Sequence, residues 1–412
     1  MNRRLLIIWC LIIGCWVNTY ADTLDIVAGG RFEKINAALA AADSGDVLRI
    51  FPGLYKEGTL IIDKSVTLLG IDYPRIDGEE QQEIIRIIAD HVVVKGLQVQ
   101  NVGTSYTEDR AGIKLDGVQN VQIVENRLIN CFFGVYLKQS NDCRVVANQI
   151  IGKAEKEMSS GNAIHLWYCK RIEVRDNVAE HHRDGIYLEF VDDSQVTGNT
   201  SSFNLRYGLH FMFSNYDDYS HNVFQSNGAG VAVMFSRNIR MNNNVFQDNW
   251  GMASYGLLLK EIYDGEIKEN HFIKNTIGIY GESANRLIIQ DNDFQSNGWA
   301  LKILGSCVDN TFTGNNFLTN TFDLTTNSNN DYNLYQGNYW SGYSGYDLNR
   351  DGYGDVPHRP IQMFSYVVGR VDVSIILLRS LFVDLLNFAE KVTPVFIPEG
   401  LMDTQPLMQP RP

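Results

Sequence analysis

The sequence predicts an all-β chain, a right-handed parallel β-helix with a short N-terminal capping helix and a C-terminal helical tail. Three observations carry this. An asparagine recurs from Asn126 through Asn148, Asn177, Asn199, Asn222, Asn244, Asn270, Asn292 and Asn315 to Asn338, at intervals of 22 to 29 residues. A second series, Asn204, Asn227, Asn249, Asn275, Asn297 and Asn320, follows five residues behind the first. Between them lie short alternating strands opened by glycine or alanine, such as Gly112-Ile113-Lys114-Leu115 and Gly185-Ile186-Tyr187-Leu188. A period of this length marks a solenoid. One such coil cannot bury its own apolar side chains, so coils must stack, about 4.7–4.9 Å apart. Asparagine is expected at corners, where it tolerates left-handed backbone, and stacked amides can hydrogen-bond along the ladder. From Asn222 onward the residue two places later is aromatic: Phe224, Phe246, Phe272, Phe294, Phe317 and Trp340.

In chain order, residues 1–21 read as a secretory signal. Arg3 and Arg4 precede an apolar run from Leu5 to Val17, and Thr19-Tyr20-Ala21 supplies a cleavage site. Ile12-Ile13-Gly14-Cys15 is also similar to a lipoprotein cleavage box, which would acylate Cys15 instead. Either route exports the chain. Residues 22–111 hold an N-terminal cap and the first irregular coils. Phe32, Ile35, Ala38 and Leu39 are helically spaced, and a helix there would cover the open pairing edge of the first coil. Residues 112–340 form the regular β-helix, 341–362 a polar glycine-rich segment, and 363–412 the helical tail. The tail is apolar on most sides between Val371 and Val392, but Asp372, Arg379 and Asp384 interrupt it, so it is no convincing membrane span. It reads either as a cap on the last coil or as a peripheral dock on a membrane-bound partner.

Once Arg3 and Arg4 leave with the signal, 33 basic residues face 48 acidic ones, a net charge of −15. That argues against nucleic acid and suits cation handling. The four cysteines of the mature chain, Cys131, Cys143, Cys169 and Cys307, have no CxxC spacing and read as free core thiols.

Alternation places the third and fifth residues of each glycine-led strand on the outside. The third position reads Lys114, Tyr136, His165, Tyr187, His210, Ala232, Leu258, Tyr280, Lys302, and the fifth Asp116, Lys138, Trp167, Glu189, Met212, Met234, Lys260, Glu282, Leu304. His165, Trp167, Tyr187, Glu189, His210, Met212 and Met234 should therefore form one exterior patch. Two longer coils insert Met158 and Met252 on the same edge, as lips beside it. Thioether and imidazole together suit Cu(I) over magnesium or calcium. His210, Met212 and Met234 are the candidate copper ligands, with His165, Met158 and Met252 assisting, and Trp167, Tyr187 and Glu189 as a partner face. The other reading is an apolar face covered by a lip or a partner, with methionine filling gaps. Met241 projects inward, and His182 takes a second-series asparagine position at a corner.

Near the end, Asp347, Asn349, Asp351 and Asp355 place oxygen side chains at positions 1, 3, 5 and 9 of an EF-hand-type loop. Gly352 stands at position 6, and Tyr353 would offer its carbonyl. Position 12 is His358 rather than a bidentate Glu, so calcium and a self-contained Asx-turn knot both remain open.

Several stretches resemble the NosD family, periplasmic β-helical maturation proteins for nitrous-oxide reductase. These are Tyr207-Gly208-Leu209-His210-Phe211-Met212-Phe213, Ala232-Val233-Met234-Phe235-Ser236-Arg237, and Gly337-Asn338-Tyr339-Trp340-Ser341 with Asp351-Gly352, Gly354-Asp355 and Val356-Pro357. Phe213 and Phe235 stand where tyrosine is usual in that family, and His358 where an aromatic is common. The resemblance implies a periplasmic, non-enzymatic factor. It would work with an ABC transporter permease and ATPase and a copper chaperone lipoprotein, delivering copper, with sulfur as a further cargo, to the apo-reductase. Carbohydrate-active β-helix enzymes are the rival class, and a purely structural solenoid is the third. A glycosidase needs two carboxylates about 5–10 Å apart, whereas Asp116, Glu189 and Glu282 lie several coils apart on this face.

Overall fold

The computed structural model describes residues 21–105, 107–361, 363–378, 380–392 and 401–412. The expected signal up to Tyr20, Cys15 included, lies outside these. Every strand pairs in parallel with the equivalent strand one coil away, giving three sheets of 14, 12 and 13 strands. The expected parallel β-solenoid is therefore present. The sheets run unbroken from the first coils into the rest, with Ile85–Ile87 pairing directly onto Ala111–Asp116. The coils before residue 111 thus share the regular pairing, although their sequence reads as irregular.

Alternation explains what fills the lumen. In most of the three-residue strands only the central side chain is buried, as with Ile123 in Gln122–Val124, whereas Ile85–Ile87 buries its two outer side chains. Parallel registry then stacks like on like. Phe246, Phe272, Phe294, Phe317 and Trp340 form one column with ring centroids 4.1–5.0 Å apart. Met241 is fully buried, as its register predicts. The four cysteines are free and buried. Burial pushes the Cys131 and Cys143 thiols up to about 12 and Cys169 up to about 11, which leaves them protonated and inert.

The asparagines do not serve the corner in the way the sequence suggests. Left-handed backbone falls one residue earlier, at Glu125, Ala147, Asp176, His221, Asn243, Glu269 and Asp291, where φ is 53–59°. The asparagines themselves are buried. Asn199 donates its backbone N–H (2.9 Å) and its Nδ2 (3.0 Å) to Asn222 Oδ1. Asn222 Nδ2 in turn donates to the Val196 carbonyl (2.8 Å) and to Asn244 Oδ1 (3.0 Å). Each amide thus satisfies backbone groups that the turn strips from the sheet. The second ladder repeats the pattern from Asn204 to Asn320, and His182 feeds into it by donating its N–H to Asn204 Oδ1.

Both ends are closed. Helix α1 (Ile35–Ala41) buries Ile35, Ala38 and Leu39 against the first coils. Its first N–H groups, on Ile35 and Asn36, donate to the Glu57 carboxylate at 2.7 and 2.9 Å. At the other end the first ladder finishes on a carboxylate. Asp403, fully buried, accepts from Asn338 N–H, Asn338 Nδ2, Trp340 Nε1 and Gly337 N–H at 2.9–3.1 Å. Residues 401–412 are therefore not a continuation of the helical tail but a returning segment that caps the last coil. Between stem and return lie helix α2 (Met363–Arg370), a 3-10 stretch (Asp372–Leu377) and helix α3 (Leu381–Val392). Phe364, Val368 and Val383 pack this helical excursion on Phe322 and Trp299, at the side of the solenoid rather than over its end.

Two outcomes follow from these contacts. Asn222→Ala strands the Asn199 N–H and Nδ2 and the Val196 carbonyl, so it should destabilise the fold by about 2–4 kcal/mol; a denaturant midpoint within error of the parent would refute that role. Burial also raises the Asp323 carboxyl from 3.8 to about 7, against one hydrogen bond from Asn320 Nδ2. The unfolded chain releases this proton first, so this group's contribution to stability is fully present below about pH 4 and is lost as pH rises to about 7, levelling off above it. Asp323→Asn should remove that slope from a Tm-against-pH series.

Candidate metal site on the lateral sheet

The 12-stranded sheet brings the expected rows together. Tyr136, His165, Tyr187, His210 and Ala232 are successive register partners. So are Lys138, Trp167, Glu189, Met212 and Met234. Met212 and Met234 lie side by side on adjacent strands, and His210 stands two residues before Met212 on the same face.

This face is less open than alternation alone implies. Tyr136, Tyr187 and His210 are buried and His165 half-buried, because each ring covers the next. Centroids along Tyr136, His165, Tyr187 and His210 are 4.7–4.8 Å apart, and Tyr207 closes on His210 from the strand edge at 4.8 Å. Trp167, Glu189, Met212 and Met234 stay half-buried and reachable.

His210 is the chemically distinctive residue. It is 5% exposed, and neither ring nitrogen has a hydrogen-bond partner. Burial holds the ring neutral by pushing its pKa down to about 4, with Arg206 and Arg183 reinforcing this against Asp184. A neutral imidazole with a free nitrogen lone pair is a metal-ligand state. Next to it, the Tyr187 hydroxyl points at Met212 Sδ, 3.7 Å away. His165 differs: its Nδ1 is held by Asn162 Nδ2 at 3.1 Å, and burial lowers its pKa to about 3.

The lips sit where expected but do not deliver their methionines. Met158, in the 3-10 turn Glu157–Ser159, and Met252 are both fully exposed, so neither packs on His210, Met212 or Met234. Sequence reasoning also missed two features. Asp184, fully buried at the strand edge, is held by Arg206 through bonds of 2.9 and 2.6 Å, beside His210. The corner after the fifth-position row carries Tyr168, Phe190, Phe213 and Phe235, all with φ of 51–54°. Each directly follows Trp167, Glu189, Met212 or Met234, so the sequence did hold the signal.

The terminal loop is closed by its own backbone. Asp347 accepts from the N–H groups of Arg350, Asp351 and Gly352, Asn349 from Asp351, Asp351 from Tyr353, and Asp355 from Leu348. The loop then pairs with the returning segment through Tyr353 and Leu407. Among the described residues no group of three or more His, Cys, Asp or Glu side chains is placed to hold a metal ion.

Comparison with known proteins identifies the family. The family model of NosD, described as a periplasmic copper-binding protein, matches residues 78–204 and 146–345. A relative from Pseudomonas aeruginosa, described as a probable ABC transporter binding protein NosD, is 27% identical, covering 94% of this chain and 95% of its own. One of the same description from Stutzerimonas stutzeri is 27% identical, covering 81% of this chain and 80% of its own. Among solved structures, the catalytic unit of a GH87 α-1,3-glucanase from Streptomyces thermodiastaticus matches with TM-score 0.60 and 16% identity, over 78% of this chain and 66% of that one. At that identity the likeness speaks for the fold alone. The matched span covers more than half of the sequence and contains both methionines and His210, and the chain belongs to the NosD family of periplasmic copper-binding proteins.

Proposed function

We propose that this chain is a non-enzymatic copper-relay scaffold. It works with an ABC transporter and a copper chaperone lipoprotein to deliver copper, with sulfur as a further cargo, for the copper centres of nitrous-oxide reductase. Transient Cu(I) capture falls to His210, Met212 and Met234. The observation that supports this most is the buried, unpartnered, neutral His210 ring beside two adjacent thioethers. Nitrogen and sulfur donors with no carboxylate among them favour Cu(I) over hard cations. Trp167, Tyr187 and Glu189 border the site, and Met158 and Met252 on the lips are placed to receive an ion only if a lip moves.

The enzyme reading has less behind it. In register, Asp116 and Glu189 are three coils apart, about 14 Å, too far for paired-carboxylate chemistry. Asp116 is occupied by Arg86 and Lys138, and Glu282 by Lys260. Calcium at Asp347, Asn349, Asp351, Tyr353 and Asp355 rests on spacing alone, and a Tm raised by calcium after chelator treatment would support it.

The helical excursion suits peripheral docking on a membrane-bound transporter. Val373, Ile376, Leu381, Phe382, Leu385 and Phe388 are exposed. No helix among the described residues is long and apolar enough to cross a membrane. An uncovered apolar surface of this kind marks an interaction site.

Met-to-Leu exchange nearly conserves volume and should cost under about 1.5 kcal/mol. Met212→Leu with Met234→Leu should weaken Cu(I) binding roughly tenfold or more while leaving the fold intact, and a competition titration with an unchanged Cu(I) constant would remove this site. Replacing Phe382, Leu385 and Phe388 with Ser should abolish copurification with the transporter and leave solenoid Tm in place; undiminished copurification would exclude the excursion as the dock.

A further inference from the structure

The corner between the lateral sheet and its neighbour turns through left-handed backbone in eight successive coils, from Gly117 to Ser283. Gly117, Gln139, Glu261 and Ser283 fill it on either side of the candidate site, with φ of 50–71°. Only in the four coils that carry Trp167, Glu189, Met212 and Met234 does it hold Tyr168, Phe190, Phe213 and Phe235. Bulky residues are poorly suited to that conformation, which favours glycine and short polar side chains. Folding alone does not require them, since the flanking coils turn the same corner without aromatics. The four rings stack face to face at 4.5, 5.1 and 5.0 Å, with interplanar angles of 19°, 7° and 16°. Tyr168 is 48% and Phe213 38% exposed. A groove runs along the stripe, with Asn141, Lys170, Asp192 and Asn215 on its far wall.

We infer that this aromatic stripe is the docking rail for the protein that exchanges Cu(I) with Met212 and Met234. This rests on the copper-relay reading. Phe213 and Phe235 are bonded directly to those methionines, so a partner whose own soft-ligand site reaches Met212 and Met234 must stand over the stripe. The occupant is a protein carrying Cu(I) on an exposed site, with an apolar ridge that fits the groove. Two other occupants fit less well. Sugars stack on ring faces, and here the faces are spent on one another, leaving edges outward. A lipid surface would meet the ion pair of Lys170 with Asp192 at 3.3 Å and that of Arg171 with Asp142 at 2.6 Å.

The test compares two Cu(I) donors, a small-molecule Cu(I) chelate and the Cu(I)-loaded soluble domain of a periplasmic copper chaperone. In the full chain, Phe190, Phe213 and Phe235 are changed together to Gln, which this corner already accepts at position 139. Phe213→Tyr with Phe235→Tyr serves as the conservative variant. The expected result is chelate uptake within twofold of the parent, chaperone transfer slowed tenfold or more, and full transfer by the Tyr variant. Parental transfer by the triple Gln variant would overturn the rail. Equal loss with both donors would also overturn it, since the rings would then belong to the metal site. A parent chain that takes no Cu(I) from the chelate would remove the underlying relay reading as well.

Discussion

The whole architecture depends on one interaction, a buried side-chain amide that serves the backbone of its neighbour. Wherever a coil turns between sheets, its N–H and C=O groups leave the parallel ladder and would be stranded away from water. Each asparagine supplies an acceptor to the N–H and Nδ2 of one neighbouring coil and a donor to a carbonyl there, as Asn222 does for Asn199 and Val196. Leaving such groups unmade costs more than making them gains. Registry is therefore enforced at each corner the ladders serve, and registry brings His210, Met212 and Met234 onto one wall.

That rigidity has a chemical use. Side chains on a stacked sheet can be packed until they are held in a single state, and His210 shows the result. Tyr187 and Tyr207 enclose its ring, Asp184 and Arg206 form a fixed ion pair beside it, and neither nitrogen finds a protein partner. Under the proposed copper relay, a ligand held this way is preorganised. In that reading the half-buried methionines, with their adaptable side chains, are the part of the set that would take up and release a soft ion.

The sequence disclosed the period, the parallel stacking of coils and the pairing register, because all three follow from repeat spacing and two-residue alternation; that each coil contributes to three sheets was not read from it. It placed Met212 beside Met234 and Met241 in the lumen for the same reason. It misassigned the left-handed residue by one position, since a recurrent asparagine is equally consistent with a turn conformation and with a buried hydrogen bond. The closure of Tyr136, Tyr187 and His210 against one another was not legible, because alternation reports which side of a sheet a residue faces and not what lies over it. Asp403 was invisible for another reason: it completes an asparagine ladder from 65 residues away, with a different side chain.

The placement of the helical excursion has a mechanical consequence. Ile361 before it and Leu401 after it are both set in the main core, and Asp403 ties the second stem to the end of the ladder. The excursion is thus a loop fastened at both ends, not a dangling tether. A body that grips its apolar helices pulls on a segment anchored at both stems, and through Asp403 the second stem passes that pull to the final rung of the amide column.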